Sequence, residues 1–376
     1  MITSLSTRLL ASAAMMCLPT AAMWSQDSVK TAVADTTVTV TFGGFVDVYG
    51  AYDTGRPRSL DRAFTTQAVR HNEFNVNLAF VEAVVSGPRV RGRLALQTGT
   101  SVQANYSGEP RIGSVSGPEL GRLIQEAYVG YQVTPALWVD AGVFFSNVGM
   151  EGWVSRDNPI YTRSLVADYS PYYSSGVRAT WQVSSRVSVR ADLVNGWQNI
   201  SESNEDKALG ARVDFAVTPS TTLSWYGLAG NEPGARLRLY NGVGIKTRPT
   251  TSFEVTAELD AGREEAPDSI GTNAPARTWY GGMLIARWTV SPRSAVVGRL
   301  ERYVDDDQVI LSTGIANPLR ANGASIGFDF KPASRLLWRS EARVLRNPTA
   351  VFPDRHASGG VAKRNTVFVS SLALTF

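Results

Sequence analysis

Polar and apolar residues alternate along several separate stretches of the chain. In 209–217 every second side chain is apolar, and the residues between them are small or charged. The same alternation occurs in 187–193, 253–260 and 336–344. Strict alternation places one face of a β-strand in an apolar medium and the other face in a polar one. A soluble sandwich also alternates, so the period alone leaves open whether the apolar face meets a second sheet or lipid.

Turn signals divide the chain into hairpins. Short segments rich in Pro, Gly and Ser lie at 86–89, 133–135, 183–186, 217–220, 247–249, 290–293 and 331–333. Longer segments rich in Gly, Asn, Asp and Pro separate them, at 51–70, 101–120, 148–172, 199–206, 231–236, 263–276, 305–320 and 347–362. Seven turns and eight loops make 15 connections, which predicts 16 antiparallel strands of about 10 to 13 residues. One miscounted hairpin would make the number 14 or 18.

An even number of such strands, with short turns at one end and longer loops at the other, is typical of a transmembrane β-barrel. In hydrocarbon only helices and closed barrels pair every backbone N–H and C=O within the protein. The sequence therefore predicts an all-β, closed antiparallel transmembrane barrel over residues 37–376, with short periplasmic turns and long extracellular loops. Candidates for its aromatic girdles are Trp225, Tyr280, Trp288, Phe330 and Trp338.

The two ends of the chain indicate export to the outer membrane. Arg8 precedes an apolar stretch at 9–23, which has the length of a signal-peptide core, so residues 1–25 are predicted to be a cleaved signal and 26–36 a periplasmic lead-in. Cleavage would remove Cys17; in the alternative, a lipoprotein, Cys17 would be acylated, but Met16 stands where a small residue is expected. The last strand ends on Phe376 and resembles those presented to the machinery that inserts outer-membrane barrels.

Composition excludes several other classes of protein. The chain is 43% hydrophobic and 19% charged with one Cys, which excludes a disordered tail and a disulfide scaffold. A net charge of +4 is too small to indicate nucleic acid as a partner. Neither His71 nor His356 lies in a cluster with metal-ligand spacing, and no spacing joins His356 to Ser358 or Ser370 as in a hydrolase. We therefore expect no metal, no cofactor and no enzymatic activity.

The charged positions of the alternating strands are expected to face the lumen. Arginine keeps its charge at any physiological pH, and rings of charge select permeating ions, so the pairs Arg91/Arg93 and Arg236/Arg238 suggest a preference for anions. Alternatively, the same groups form salt bridges that only brace the wall. The pore-lining candidates are Arg91, Arg93, Arg190, Asp192, Arg212, Asp214, Arg236, Arg238, Glu254, Glu258, Arg299, Glu301, Arg339, Glu341 and Arg343.

The segment 144–173 is long, aromatic and charged, and is too apolar to extend freely into water. We expect it to fold into the barrel mouth and narrow it; an Ω-loop packed on the rim is the alternative. The candidates for the constriction are Trp153, Arg156, Asp157, Tyr161, Arg163 and Asp168.

Several of these segments carry a family resemblance. The runs 91–100, 123–128, 150–176, 194–200, 204–208, 304–310 and 371–376 are similar to those of the OmpL-like family of outer-membrane β-barrel porins. The similarity extends from about residue 41 to the end. It implies an outer-membrane barrel, without catalytic residues and without a defined substrate.

Together these features predict a porin-like channel for passive diffusion of small hydrophilic solutes, with the lipid bilayer and the barrel-insertion machinery as its partners. The alternatives are a closed barrel with a structural or adhesive role through its extracellular loops, and a secreted soluble β-protein.

Overall fold

The protein is described by a computed structural model, which covers residues 37–234, 236–266 and 275–376. The predicted signal at 1–25, including Cys17, and the lead-in at 26–36 lie outside the described residues.

Sixteen strands form one closed antiparallel barrel, which confirms the predicted fold class and strand number. Each strand pairs with its neighbours along the chain, and the last strand, β18, pairs with both β1 and β15. A separate pair, β16 with β17, lies within the last loop. The bounds are β1 Thr39–Asp53, β2 Phe74–Ser86, β3 Val90–Thr98, β4 Ile124–Thr134, β5 Leu137–Phe145, β6 Tyr173–Gln182, β7 Val187–Val194, β8 Ala208–Thr218, β9 Thr221–Glu232, β10 Arg236–Thr250, β11 Phe253–Glu264, β12 Arg277–Ser291, β13 Ser294–Asp305, β14 Leu319–Ala333, β15 Leu336–Arg346, β16 Phe352–Pro353, β17 Val361–Ala362 and β18 Arg364–Thr375.

The connections follow the predicted division into turns and loops. All seven short turns lie at one end of the barrel, together with the start of β1 and the finish of β18; we call this the turn end. The eight longer connections lie at the opposite, loop end, and contain the short helices α1 Thr100–Asn105, α2 Pro118–Gly121 and α3 Leu165–Asp168, and the 3-10 helix Ser155–Asp157. In the part of the chain described, no helix has the length and apolar character needed to cross a membrane.

The last residue closes the barrel against the first strand. Phe376 N–H donates to the Gly44 carbonyl at 3.1 Å, and Gly44 N–H donates back to the Phe376 carbonyl at 2.9 Å. The Phe376 ring lies directly over Gly44, where an added Cβ would stand 2.3 Å from the ring. Glycine is therefore required at position 44 if the terminal ring is to cover the seam.

The outward face of the barrel is apolar. Large hydrophobic side chains are exposed along the strands, for example Leu259, Leu300 and Ile326. Trp288 and Trp338 are also exposed on this face, near the turn end. A continuous exposed apolar band is unstable in water and indicates contact with lipid.

Candidate functional site

The segment between β5 and β6, residues 146–172, folds into the barrel; we call it the inner loop. Its shape is stabilised by its own side chains. Asn158 joins the two sides of a turn, since its Oδ1 accepts from Gly152 N–H at 2.7 Å and its Nδ2 donates to Gly152 O at 2.9 Å. The hydroxyl of Ser164 caps α3 by accepting from Ala167 N–H. The inner loop therefore enters the lumen as a formed structure.

Buried charges on strands β11 to β15 hold the inner loop against one side of the lumen; we call this side the covered wall. Arg339 donates to the carbonyls of Ser155 at 2.6 Å and Asn158 at 2.9 Å. The carboxylate of Glu341 accepts from Thr162 N–H at 2.7 Å. Further contacts are Arg287 with Pro159 O, Arg299 with Thr162 O, Glu301 with Leu165 N–H and Glu258 with Met150 N–H. The loop backbone thus satisfies its polar groups on the wall instead of on water.

The inner loop also reaches the other sides of the lumen. Ser155 donates to Asp47 on β1 at 2.8 Å. Trp153 Nε1 donates to Gln97 on β3 at 2.9 Å. Arg212 on β8 donates to the Gly149 carbonyl at 2.8 Å, and Arg156 donates to Thr375 on β18 at 2.9 Å. The loop therefore crosses the lumen and narrows it.

Apolar packing completes the covered wall. The inward side chains Met283, Ile285 and Val297 are almost fully buried, and they belong to one hydrophobic cluster with Ile160 and Leu165 of the inner loop. Strand alternation alone predicts a polar inward face. The inward face of the covered wall is instead partly apolar. Where the inner loop replaces water, the wall carries core residues because burial of their apolar surface stabilises the contact.

The opposite side of the lumen, β3 to β7, keeps an open space; we call it the open wall. A cavity of about 220 Å³ lies against it. Its lining includes three arginine side chains, two carboxylates and two aromatic rings, from Arg91, Arg178, Arg190, Glu126, Asp140, Tyr128 and Phe144. Arg91 Nε donates to Asp140 at 2.7 Å, and Arg178 Nε donates to Asp192 at 2.8 Å.

Arginine is the more exposed partner of the ion pairs on the open wall. The side chain of Arg91 is 32% exposed and that of its partner Asp140 only 6%. For Arg190 and Asp214 the fractions are 33% and 19%. In these two pairs the guanidinium group therefore presents more surface to the cavity than its acid partner does.

The predicted pore-lining residues all point inward, but they fall into different surroundings. The first group lines or adjoins the open space and consists of Arg91, Arg93, Arg190, Asp192, Arg212 and Asp214. Arg236 and Arg238 pair with Glu264 near the loop end, and Glu254 pairs with Lys246 and Arg248 near the turn end. The last group is buried under the inner loop and consists of Glu258, Arg299, Glu301, Arg339, Glu341 and Arg343. Only the first group is close to the cavity.

The six constriction candidates divide in the same way. Trp153, Tyr161, Arg163 and Asp168 are buried within the packed loop, where Arg163 pairs with Asp168 at 3.3 Å and lies over the Trp153 ring. Arg156 and Asp157 keep more exposure and pair with each other at 3.5 Å. The first four therefore belong to the packed interior of the inner loop, and the last two lie at a more exposed part of it.

One acid of the inner loop is buried beside its α3 cap. Glu151 accepts from Ser164 N–H at 3.0 Å and from the Ser164 hydroxyl. Burial raises the pKa of Glu151 from 4.5 to about 7, although the nearby positive charge of Arg299 and the bonds from Ser164 oppose that shift. This carboxyl thus titrates near neutral pH inside the constriction.

Several cavity residues that obey the same alternation are not among the pore-lining candidates. Arg178 and Thr180 lie at inward positions of β6, and Asp140 lies at an inward position of β5. Each stands between apolar or small neighbours, so the period-two pattern could have identified it. Glu126 and Tyr128 on β4 follow the pattern too.

No grouping of three or more His, Cys, Asp or Glu suited to a metal ion occurs among the described residues. His71 Nδ1 accepts from Asp53 N–H at 3.0 Å, which gives it a structural partner. Ser370 lies on the outward face, where Trp338 Nε1 donates to it at 2.9 Å, and it is therefore on the opposite side of the wall from the lumen.

Comparison with known proteins agrees with this architecture. The sequence profile of the family described as "Putative beta-barrel porin-2, OmpL-like" matches residues 39–376. The chain belongs to this family. It is an outer-membrane β-barrel of the porin-like type. No curated protein matches the sequence.

Solved structures similar to this porin-family barrel share its fold at low sequence identity. OmpT of Vibrio cholerae, expressed in the outer membrane, is 9% identical with a TM-score of 0.57, over 90% of this chain and 98% of that one. A loop L8 deletion mutant of the same protein is 10% identical with a TM-score of 0.57, over 90% and 99%. A porin refined at 1.8 Å is 10% identical with a TM-score of 0.53, over 90% and 100%.

Proposed function

We propose that the protein is a non-enzymatic channel through which small hydrophilic solutes diffuse passively along the open wall. The observation that carries this proposal is the cavity of about 220 Å³ between β3 and β7, which the inner loop leaves unfilled. Its lining is polar and charged, so it suits water and hydrated solutes. The inner loop limits the size of what passes.

Small anions are the favoured solutes. The guanidinium groups of Arg91 and Arg190 are more exposed than their acid partners. A fixed positive surface in a narrow aqueous path raises the local concentration of anions. The pairs Arg93 with Glu82 and Arg238 with Glu264 are more enclosed, and we assign them to bracing of the wall.

A substitution that fills the cavity tests the route. Thr180→Trp places an indole in the cavity, whereas Ala179→Trp, at the neighbouring position of the same strand, places it in lipid. Conductance in a planar bilayer should fall strongly for Thr180→Trp and stay unchanged for Ala179→Trp. Equal conductance of both variants and the original protein would contradict the proposed route.

The second candidate is a closed barrel whose loops serve a structural or adhesive role. It is favoured by the contacts of the inner loop with β1, β3, β8, β18 and the covered wall, which surround the lumen. Discrete conductance steps and swelling of liposomes in small solutes would support the channel. A correctly inserted barrel that shows neither would support the closed form.

The two ends of the chain are proposed to serve export and membrane insertion. Residues 1–25 would direct the chain across the inner membrane and be removed. The strand ending in Phe376, which closes the barrel against β1, would be the segment that the insertion machinery receives.

A further inference from the structure

Inward cations of the covered wall are paired with acids, except at the turn end. A carboxylate lies within ion-pair distance of each of five arginines on its strands, Arg277, Arg287, Arg299, Arg339 and Arg343. The exceptions are Arg293, Lys331 and Arg335, which we call the rim cations. All three residues are exposed, and none forms an ion pair, with a side chain or with the terminal carboxylate, within the part of the chain described.

The strand register brings the rim cations together on the lumen side of the barrel. Each lies an even number of residues from a buried inward charge of its own strand, so each has an inward position. Lys331 N–H donates to the Arg293 carbonyl at 2.8 Å, so these two face each other. Arg335 follows on the next strand. Facing side chains start about 5 Å apart and diagonal ones about 7–8 Å apart, so all three can contact one small ligand.

The acids near the rim cations already have other partners. The acid closest along these strands is Asp329, two residues from Lys331, and it accepts from Arg287 and, at 2.9 Å, from Arg339. The next acid along the rim is Glu254, which pairs with two cations of β10. Like charges at facing positions of a sheet are destabilising. The rim cations therefore lack the counterion that the other cations of this wall have.

The inner loop ends just above the rim cations and does not cover them. The Pro159 carbonyl accepts from Arg287 at 2.9 Å, and Ile160 lies against Gly327, four residues deeper on β14 than Lys331. Below this level the wall is open to the mouth of the lumen, as the exposure of the rim cations shows. Lipid lies on the opposite side of the wall. The ligand that can reach them is therefore one dissolved in the water of the turn-end mouth.

We propose that the rim cations bind a small polyvalent oxyanion, of the phosphate or sulfate type, at the turn-end mouth of the lumen. Such an anion carries several acceptor oxygens and more than one negative charge, so it accepts charge-assisted hydrogen bonds from three cations at once. Chloride carries a single charge and is attracted less strongly. This site is separate from the cavity of the open wall, and its occupancy does not require that the barrel conducts.

Calorimetric titration with pyrophosphate tests the site on the full-length barrel in nonionic detergent and a phosphate-free buffer of low ionic strength. We expect saturable binding to the original protein. R293Q, K331Q and R335Q should each weaken it by about tenfold, because each removes one charge-assisted bond. K331R keeps the charge and should bind as the original protein does. The matched control is R186Q, which removes a lone exposed cation from the turn between β6 and β7 and should leave binding unchanged.

Lysine acetylation locates the bound anion. With limiting acetic anhydride, pyrophosphate should slow the modification of Lys331. It should not slow that of Lys363, an exposed lysine at the loop end. Mass spectrometry of the proteolysed chain gives both rates.

Folding of every variant is checked by heat-modifiable gel mobility. Absence of saturable pyrophosphate binding to the original protein would overturn the proposal, as would unchanged affinity in R293Q, K331Q and R335Q or an unprotected Lys331. Displacement of pyrophosphate by phosphatidylglycerol added to the micelles would show that the cations face lipid, and would also overturn it. None of these readouts requires conduction, so their outcome is separate from that of the channel proposal.

Discussion

Arginines of the open wall and of the covered wall have the same chemistry but different surroundings. On β3 and β7, Arg91 and Arg190 pair with acids and face a cavity. On β13 and β15, Arg299 and Arg339 also pair with acids, but they are at most 2% exposed and donate to carbonyls of the inner loop. The first pair can act on a solute in water. The second pair holds the constriction in place.

The difference shows that the inner loop, rather than the strand sequence, decides what an inward residue does. A charge that faces water costs little to keep, whereas a buried charge must have its hydrogen bonds satisfied.

The largest effect is expected from breaking a buried contact of the covered wall. Arg339→Met removes one of the two arginines that pair with buried Asp329 and leaves the buried carbonyls of Ser155 and Asn158 without this donor, so we expect a loss of about 3–5 kcal/mol in the free energy of unfolding. Arg190→Met on the open wall breaks a pair that borders water, and Asp214 keeps Arg212 as a partner, so this variant should cost no more than about 1 kcal/mol. Denaturant unfolding in detergent, followed by gel mobility, measures both. Similar losses in the two variants would remove the distinction between the walls.

The pH dependence of the free energy of unfolding reports on Glu151 in the inner loop. The pKa of Glu151 is raised to about 7 by burial, above its ordinary 4.5, so its contribution to stability is fully present below about 4.5 and is lost as pH rises through about 7. At 1.36 kcal/mol per unit this amounts to about 3 kcal/mol. Glu151→Gln should flatten the stability profile between these pH values, whereas Glu151→Asp should keep a slope. An unchanged slope in Glu151→Gln would show that another group titrates.

A smaller effect is expected on ion selectivity. At about 8 Å in water one charge is worth about 0.5 kcal/mol, roughly twofold in local ion concentration. Each charge raises the local anion concentration and lowers the local cation concentration by this factor, so the double variant Arg91→Gln/Arg190→Gln should reduce the anion-to-cation permeability ratio by roughly 16-fold. Arg320→Gln, at the exposed loop end, is the control and should leave the ratio unchanged. Reversal potentials in a salt gradient give the ratio, and a cation preference in the original protein would count against the anion assignment.

The sequence alone predicts the barrel, but it predicts only part of the arrangement of side chains in the lumen. Alternation in 253–260 and 336–344 and the seven turns predict the strands, their faces and their number, because lipid favours apolar residues at outward positions. The packing of the inner loop depends on contacts between distant residues, such as Thr162 with Glu341, which are 179 positions apart. No local pattern around Arg339 or Glu341 distinguishes them from Arg91. Core residues such as Met283 and Ile285 on the inward face of β12 were the local sign that the wall is covered.

Thiol accessibility tests the two-wall account most directly. The sequence has one cysteine, Cys17, which lies in the predicted signal. A reagent would therefore modify only the introduced cysteine once that signal is removed. Thr180→Cys lies in the cavity, and Val297→Cys replaces a fully buried residue under the inner loop with one of similar volume. A charged, membrane-impermeant methanethiosulfonate reagent should reduce the bilayer current of Thr180→Cys and leave that of Val297→Cys unchanged. If Val297→Cys reacts as fast as Thr180→Cys, water reaches the covered wall and the account is contradicted.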